Sequence, residues 1–139
     1  MTFDVLSDLN WLAVVVATVA YFLLGSLWYT VLFGRAWARA SGVEFAEEEA
    51  PSPAIYLAPL LAYLVSAIAT AMLASVTGSD TYADGVVLGL VVGVGYAVMF
   101  AFVSAVFDRR PQPNVWFAIN ASFNLVGLLI VAIIVSVWD

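Results

Sequence analysis

Asn120 and Asn124 stand one helical turn apart inside an otherwise apolar run. Two amides on one helix face can donate and accept together, so they can clamp helices to each other or contact a ligand. Surrounded by lipid, each needs a partner, and the pair is expected to point into a helix bundle toward tyrosine, serine or backbone groups. The other polar groups far from water are neutral: Ser26, Tyr29, Thr30, Tyr63, Ser66, Thr70, Tyr96, Ser104 and Ser122. No Asp, Glu, Lys or Arg occupies the middle of a long apolar segment. Proton relays and activated nucleophiles at membrane depth need an ionisable group, so proton-coupled transport, pumping and intramembrane hydrolysis are not expected. An enzyme would have to use carboxylates at the rim, such as Glu44, Glu47 or Asp108, without a histidine or cysteine to assist them, and the chain is read as not an enzyme. Asp84 and Asp108 lie at segment ends, where the first can cap a helix and the second can pair with Arg109. The absence of cysteine and histidine removes disulfides, thiolate chemistry, imidazole-ligated haem and the usual zinc sites, so neither cofactor nor metal is expected.

The elements that hold these groups follow from composition. Of 139 residues 65% are hydrophobic and 10% charged, whereas soluble domains carry about 25% charged residues. Four segments are long enough to cross a hydrocarbon core about 30 Å thick: Leu9 to Phe33, Ala54 to Ser75, Ala83 to Phe107 and Val115 to Trp138. The fold class is therefore an all-α membrane protein, a bundle of four transmembrane helices forming a single domain over residues 1–139. Met1 to Asp8 reads as a short acidic tail before a permanent span, with no cleaved signal. All four cations, Arg35, Arg39, Arg109 and Arg110, fall in the first and third connections, while the termini and the second connection carry only acids. The positive-inside rule then places both termini outside the cell membrane, an N-out/C-out arrangement. Ser41-Gly42 offers a stop for a helix continuing out of span one, and Glu47, Glu48 and Glu49 lead into Pro51 and Pro53 as a solvated stretch. Pro59 is tolerated in a first turn, or kinks a helix that begins at Ala54.

Two segments carry a small residue at every fourth position. One runs Gly85, Gly89, Gly93, Ala97, Ala101, Ala105, and the other Ala54, Ala58, Ala62, Ser66, Thr70, Ala74. Lipid supplies no hydrophobic force between helices, so close contact through small residues is a main source of association. The short turn around Thr77 to Tyr82 makes spans two and three an antiparallel hairpin, whose small-residue faces are expected to meet. One stripe could instead face another subunit.

The blocks Asn10-Trp11-Leu12-Ala13, Gly25-Ser26-Leu27-Trp28-Tyr29 and Phe33-Gly34-Arg35-Ala36-Trp37, with the asparagine-led final span, resemble the domain of unknown function 1761 family of small integral membrane proteins. The likeness covers essentially the whole chain, and its most specific part is Gly25, Leu27, Trp28, Tyr29, Phe33, Gly34 and Trp37. Where many relatives read Asn-x-Gly-Tyr-His, this chain reads Asn120-Ala121-Ser122-Phe123-Asn124, so an amide replaces the histidine. The resemblance implies four membrane helices and supplies no activity. It directs attention to Trp28, Tyr29, Trp37, Asn120 and Asn124, with interfacial anchoring the competing role for the aromatics. The function expected is a non-enzymatic scaffold or accessory subunit, assembling through small-residue faces as a homo-oligomer or with another membrane protein. The alternative is a passive facilitator or channel for a small solute, lipid or amphiphile. The lipid bilayer is the expected environment, and four arginines in an acidic chain make no nucleic-acid surface.

Overall fold

The computed structural model describes residues 1–43 and 52–138. Glu44, Glu47, Glu48, Glu49 and Pro51, read above from the sequence, lie outside the described residues. Four helices are long and apolar enough to cross a membrane: span one, Trp11–Leu32; span two, Ala54–Thr77; span three, Tyr82–Phe107; and span four, Pro113–Val137. A short 3-10 turn, Phe3–Ser7, precedes them, and a short helix, Gly34–Ser41, follows span one. No strand occurs among the described residues.

The helix ends follow local chemistry. The Asn10 side chain accepts from the Ala13 amide, capping span one, while its Nδ2 donates to the Trp138 carbonyl at 2.5 Å. One residue thus satisfies a helix start and ties it to the end of span four. Thr81 and Asp84 form a reciprocal capping box at the start of span three, and Pro113 opens span four, where its missing N–H costs no helical bond. Gly42 and Gly78 end their helices with φ of 73° and 67°, the left-handed conformation open to glycine. Span two does begin at Ala54, so Pro59 lies inside the helix.

Two departures from regular helix stand out. Trp28–Leu32 and Gly93–Val98 are π-helical, wider turns that occur often at functional sites. The helix of span one does not run on unbroken to Ser41, as the sequence reading had it. Phe33 leaves helical geometry at φ −127°, ψ 12°, and a new helix starts at Gly34. A Cβ at Gly34 would stand 2.8 Å from the Tyr29 carbonyl oxygen, so the break depends on a residue without a side chain.

Span four is the hub. Its membrane-spanning window is 44% buried against 17% for span three, and it packs against each of the other three spans. The expected meeting of the two small-residue stripes is overturned. Gly85 faces the backbone of Ile133, Gly89 that of Leu129, and Gly93 the side chain of Leu125, all on span four. One reason is that a face of glycines admits any helix whose backbone can come close, so span four competes for it with the small face of span two. Span two shows the second reason. A four-residue step drifts about 40° around the helix, so a stripe of six positions winds about 200° and cannot keep to one face. Span two buries Ala67, Thr70, Ala71 and Ala74, while Ala58 and Ala62 lie on the outside of the bundle and Ser66 is half-buried. Ala97 and Ala101 of span three are also half-buried.

Candidate functional site: an aromatic and amide cluster

Tyr21, Gly25, Trp28 and Tyr29 follow one another on a single face of span one, and Asn120, Phe123, Asn124 and Gly127 do the same on span four. These two faces meet. The Tyr29 hydroxyl donates to Asn120 Oδ1 at 2.6 Å and the Tyr21 hydroxyl to Asn124 Oδ1 at 2.8 Å. Each amide then turns its NH2 back along its own helix, Asn120 to the Trp116 carbonyl at 2.8 Å and Asn124 to the Asn120 carbonyl at 2.9 Å. The Trp28 indole N–H donates to the Ile119 carbonyl at 3.1 Å. The result is a ladder of five hydrogen bonds that leaves both amides engaged at both ends.

Phe123, 2% exposed, is the centre around which the rings gather. Tyr29 meets it edge-on with centroids 5.0 Å apart, and Tyr21, Tyr63 and Trp28 surround it at 5.4, 6.0 and 6.2 Å. Tyr63, from span two, stacks on Tyr21 at 4.1 Å, so the cluster joins three spans. Trp37 reaches its margin, edge-on to Tyr29 at 5.6 Å. Two glycines make the space. A Cβ at Gly25 would sit 3.2 Å from Phe123 Cζ, and one at Gly127 would sit 2.0 Å from Tyr21 Cε2.

Of the residues singled out from the sequence, Trp28, Tyr29, Asn120 and Asn124 come together, with Trp37 at the edge. Tyr63, Gly25 and Phe123 had been noted without being placed in a site, and Tyr21 and Gly127 were missed. The matched spacings on spans one and four were the available signal, since Tyr21-Gly25-Trp28-Tyr29 and Asn120-Phe123-Asn124-Gly127 both trace one face. Ser26, Thr30 and Ser122 do not join the cluster, because each hydroxyl bonds a carbonyl of its own helix. The chemistry available is neutral hydrogen bonding and aromatic packing. Among the described residues no group of His, Cys, Asp or Glu could hold a metal ion.

Tyr29→Phe tests the clamp directly. It keeps the ring against Phe123 and strips the donor from Asn120 Oδ1, so it is expected to destabilise the folded bundle by about 1 kcal/mol in reversible unfolding from mixed micelles. Asn120→Leu, which deletes acceptor and donor together, should cost more because it also strands the Tyr29 hydroxyl in an apolar setting.

A second polar group marks the arginine-bearing rim. The Arg110 guanidinium lies 3.5 Å from the Trp116 ring centroid and donates to the Ser104 carbonyl, to Ser104 Oγ and to Asp108. The ion pair of Asp108 is therefore with Arg110 at 3.1 Å, not with Arg109 as read from adjacency. Arg110 can fold back over span three and the Trp116 face, whereas Arg109 projects outward and is exposed. The hydrogen bond from the Ser104 hydroxyl, with the Arg110 charge behind it, holds the Asp108 carboxyl below the usual carboxylate range. A depressed folded value means that this contribution is present at neutral pH and is lost as the pH falls through that value. Carboxyl NMR titration should accordingly show Asp108 ionising at lower pH than an unperturbed aspartate, and Ser104→Ala should raise its midpoint.

Comparison with protein families matches residues 12–136 to the model described as protein of unknown function (DUF1761). Comparison with curated proteins and with solved structures finds no match.

Proposed function

The chain belongs to the DUF1761 family, and on that premise we propose that it is a non-enzymatic membrane scaffold or accessory subunit. The observation that carries this reading is the closure of the amide ladder. Asn120 and Asn124, the groups best suited to hold a ligand, each commit the amide oxygen to a tyrosine hydroxyl and an N–H to a backbone carbonyl of the same chain. A cluster that joins three spans in this way rigidifies a bundle. It leaves chemistry to a partner.

The surface for that partner, on this reading, is the outer face of span two. Ala58 and Ala62 are exposed there, and a helix can approach them closely. Native mass spectrometry of the protein extracted gently from its own membrane tests the proposal. A stoichiometric second protein or a fixed number of copies is expected, and Ala58→Phe with Ala62→Phe should disperse it. A monomer carrying no other protein would sink the reading.

The runner-up is a passive facilitator for a small solute, lipid or amphiphile, supported by a groove between spans two and three. Protein-containing liposomes no leakier than empty ones would count against it. The proposed location is the cell membrane with both termini outside, on the strength of the arginine asymmetry. The chain contains no cysteine, so Ser7→Cys provides a single label site. It should react with a membrane-impermeant maleimide on intact cells, while Arg109→Cys should not.

A further inference from the structure

Spans two and three are joined by a short turn yet hardly touch, because span three lies against span four. The gap between them holds two open spaces that follow one another along the helices. One, about 250 Å³, lies near the turn and is lined by Thr77, Ser79, Asp84, Val87, Leu88 and Val91. The other, about 240 Å³, lies toward the middle of spans two and three and includes Ser66, Leu73, Val92, Tyr96, Ala97 and Phe100. Leu73 and Thr77 are one turn apart and Val91 adjoins Val92, so the two spaces lie end to end along the seam between these helices. The twelve helical steps from Asp84 to Tyr96 rise about 18 Å, against about 15 Å for half of a hydrocarbon core.

The seam is polar and acidic at its outer end and apolar below. Asp84 stands at that end, with Asp80 in the adjoining turn, and neither arginine nor lysine shares this rim. The hydrogen bonds that Asp84 accepts in its capping box fall on Oδ2 among the described residues, which leaves Oδ1 for another donor. The Thr77 hydroxyl donates to the Leu73 carbonyl of its own helix, and the Thr77 and Ser79 oxygens, 2.8 Å apart, offer acceptor lone pairs on the same wall. The length fits one leaflet, the walls fit an alkyl chain, and the carboxylate calls for a cation.

We propose that the seam between spans two and three binds one single-chain amphiphile with an ammonium head, the head at Asp84, Thr77 and Ser79 and the chain running along Leu73, Val91 and Val92 toward Tyr96. The site is independent of the assembly reading, since a chain with no protein partner would present the same seam. An anionic amphiphile would place like charges together at Asp84 and is rejected. A neutral one gains only the burial of its chain.

The probes are dodecylammonium, dodecanoate and dodecanol, each added to the full chain in micelles of non-ionic dodecyl maltoside and read as retained adducts in native mass spectrometry. One dodecylammonium per chain is expected, with dodecanoate not retained and dodecanol weak. Asp84→Asn keeps a hydrogen-bonding side chain for the cap and should reduce dodecylammonium retention about tenfold, the loss of one charge-assisted contact. Ala97→Phe fills the inner part of the seam and should shorten the longest chain retained, while Asp108→Asn at the opposite rim should change nothing. Equal retention of all three probes, or retention unaffected by Asp84→Asn, would overturn the proposal. The Asp84→Asn comparison decides the matter alone if Ala97→Phe does not fold.

Discussion

Gly127→Ala is expected to destabilise the bundle by about 2–3 kcal/mol, an effect far larger than one methyl group usually brings. The added Cβ would stand 2.0, 2.5 and 2.7 Å from three atoms of the Tyr21 ring. That ring has nowhere to go. Tyr21 is 2% exposed and is held by its stack on Tyr63, its contact with Phe123 and its hydrogen bond to Asn124. Moving it breaks the bond to Asn124 and opens the three-span cluster, so overpacking and lost hydrogen bonding act in the same direction. Reversible unfolding in mixed micelles gives the magnitude. Adding Tyr21→Ala to Gly127→Ala distinguishes the cause: if the clash with the ring is the origin, the double variant should be no less stable than Tyr21→Ala alone. A Gly127→Ala protein as stable as the native one would show that the two faces do not meet as described.

Gly85→Leu combined with Gly89→Leu should cost about 3 kcal/mol or more, since both positions meet backbone that cannot rotate away. A Cβ at Gly85 would lie 2.7 Å from Ile133 Cα and one at Gly89 would lie 2.8 Å from Leu129 Cα. Span three must then leave span four. Spin labels at Tyr82→Cys and Val137→Cys, at the same end of these two spans, should report a longer separation in the variant. Gly95→Leu is the internal control. Nothing lies within 4 Å of the Cβ it would carry, so its effect should stay within about 0.5 kcal/mol. If Gly95→Leu were as damaging as the pair, the outer surface of span three would be an interface in the assembled protein.

The membrane class and the four helices were legible because they depend on length and on the exclusion of charge, properties of each segment by itself. The helix ends were nearly as legible. Asp84 as a cap, the glycine stop at Gly42 and the turn beyond Thr77 are local events, decided within a few residues by backbone hydrogen bonding. The candidate site was half legible. Asn120 and Asn124 had to find partners, and the need for tyrosine or backbone groups could be stated from solvation alone. Which tyrosines would answer could not. Tyr21 and Tyr29 qualify, whereas Tyr96, on a helix of the same kind, is 61% exposed.

The sequence by itself determined what each helix could offer: the small positions Gly85, Gly89 and Gly93, the amides of span four, the aromatic face of span one, and the arginines at one end. Tertiary structure alone decided the pairings. The glycine groove received the Leu125, Leu129 and Ile133 ridge of span four instead of the small face of span two, and Asp108 took Arg110 over its neighbour. The reason is physical. A groove specifies only that something may come close, and a short turn specifies only that two helices run antiparallel. Which ridge fills the groove depends on the shapes of all four helices packed together, a sum that no single segment carries.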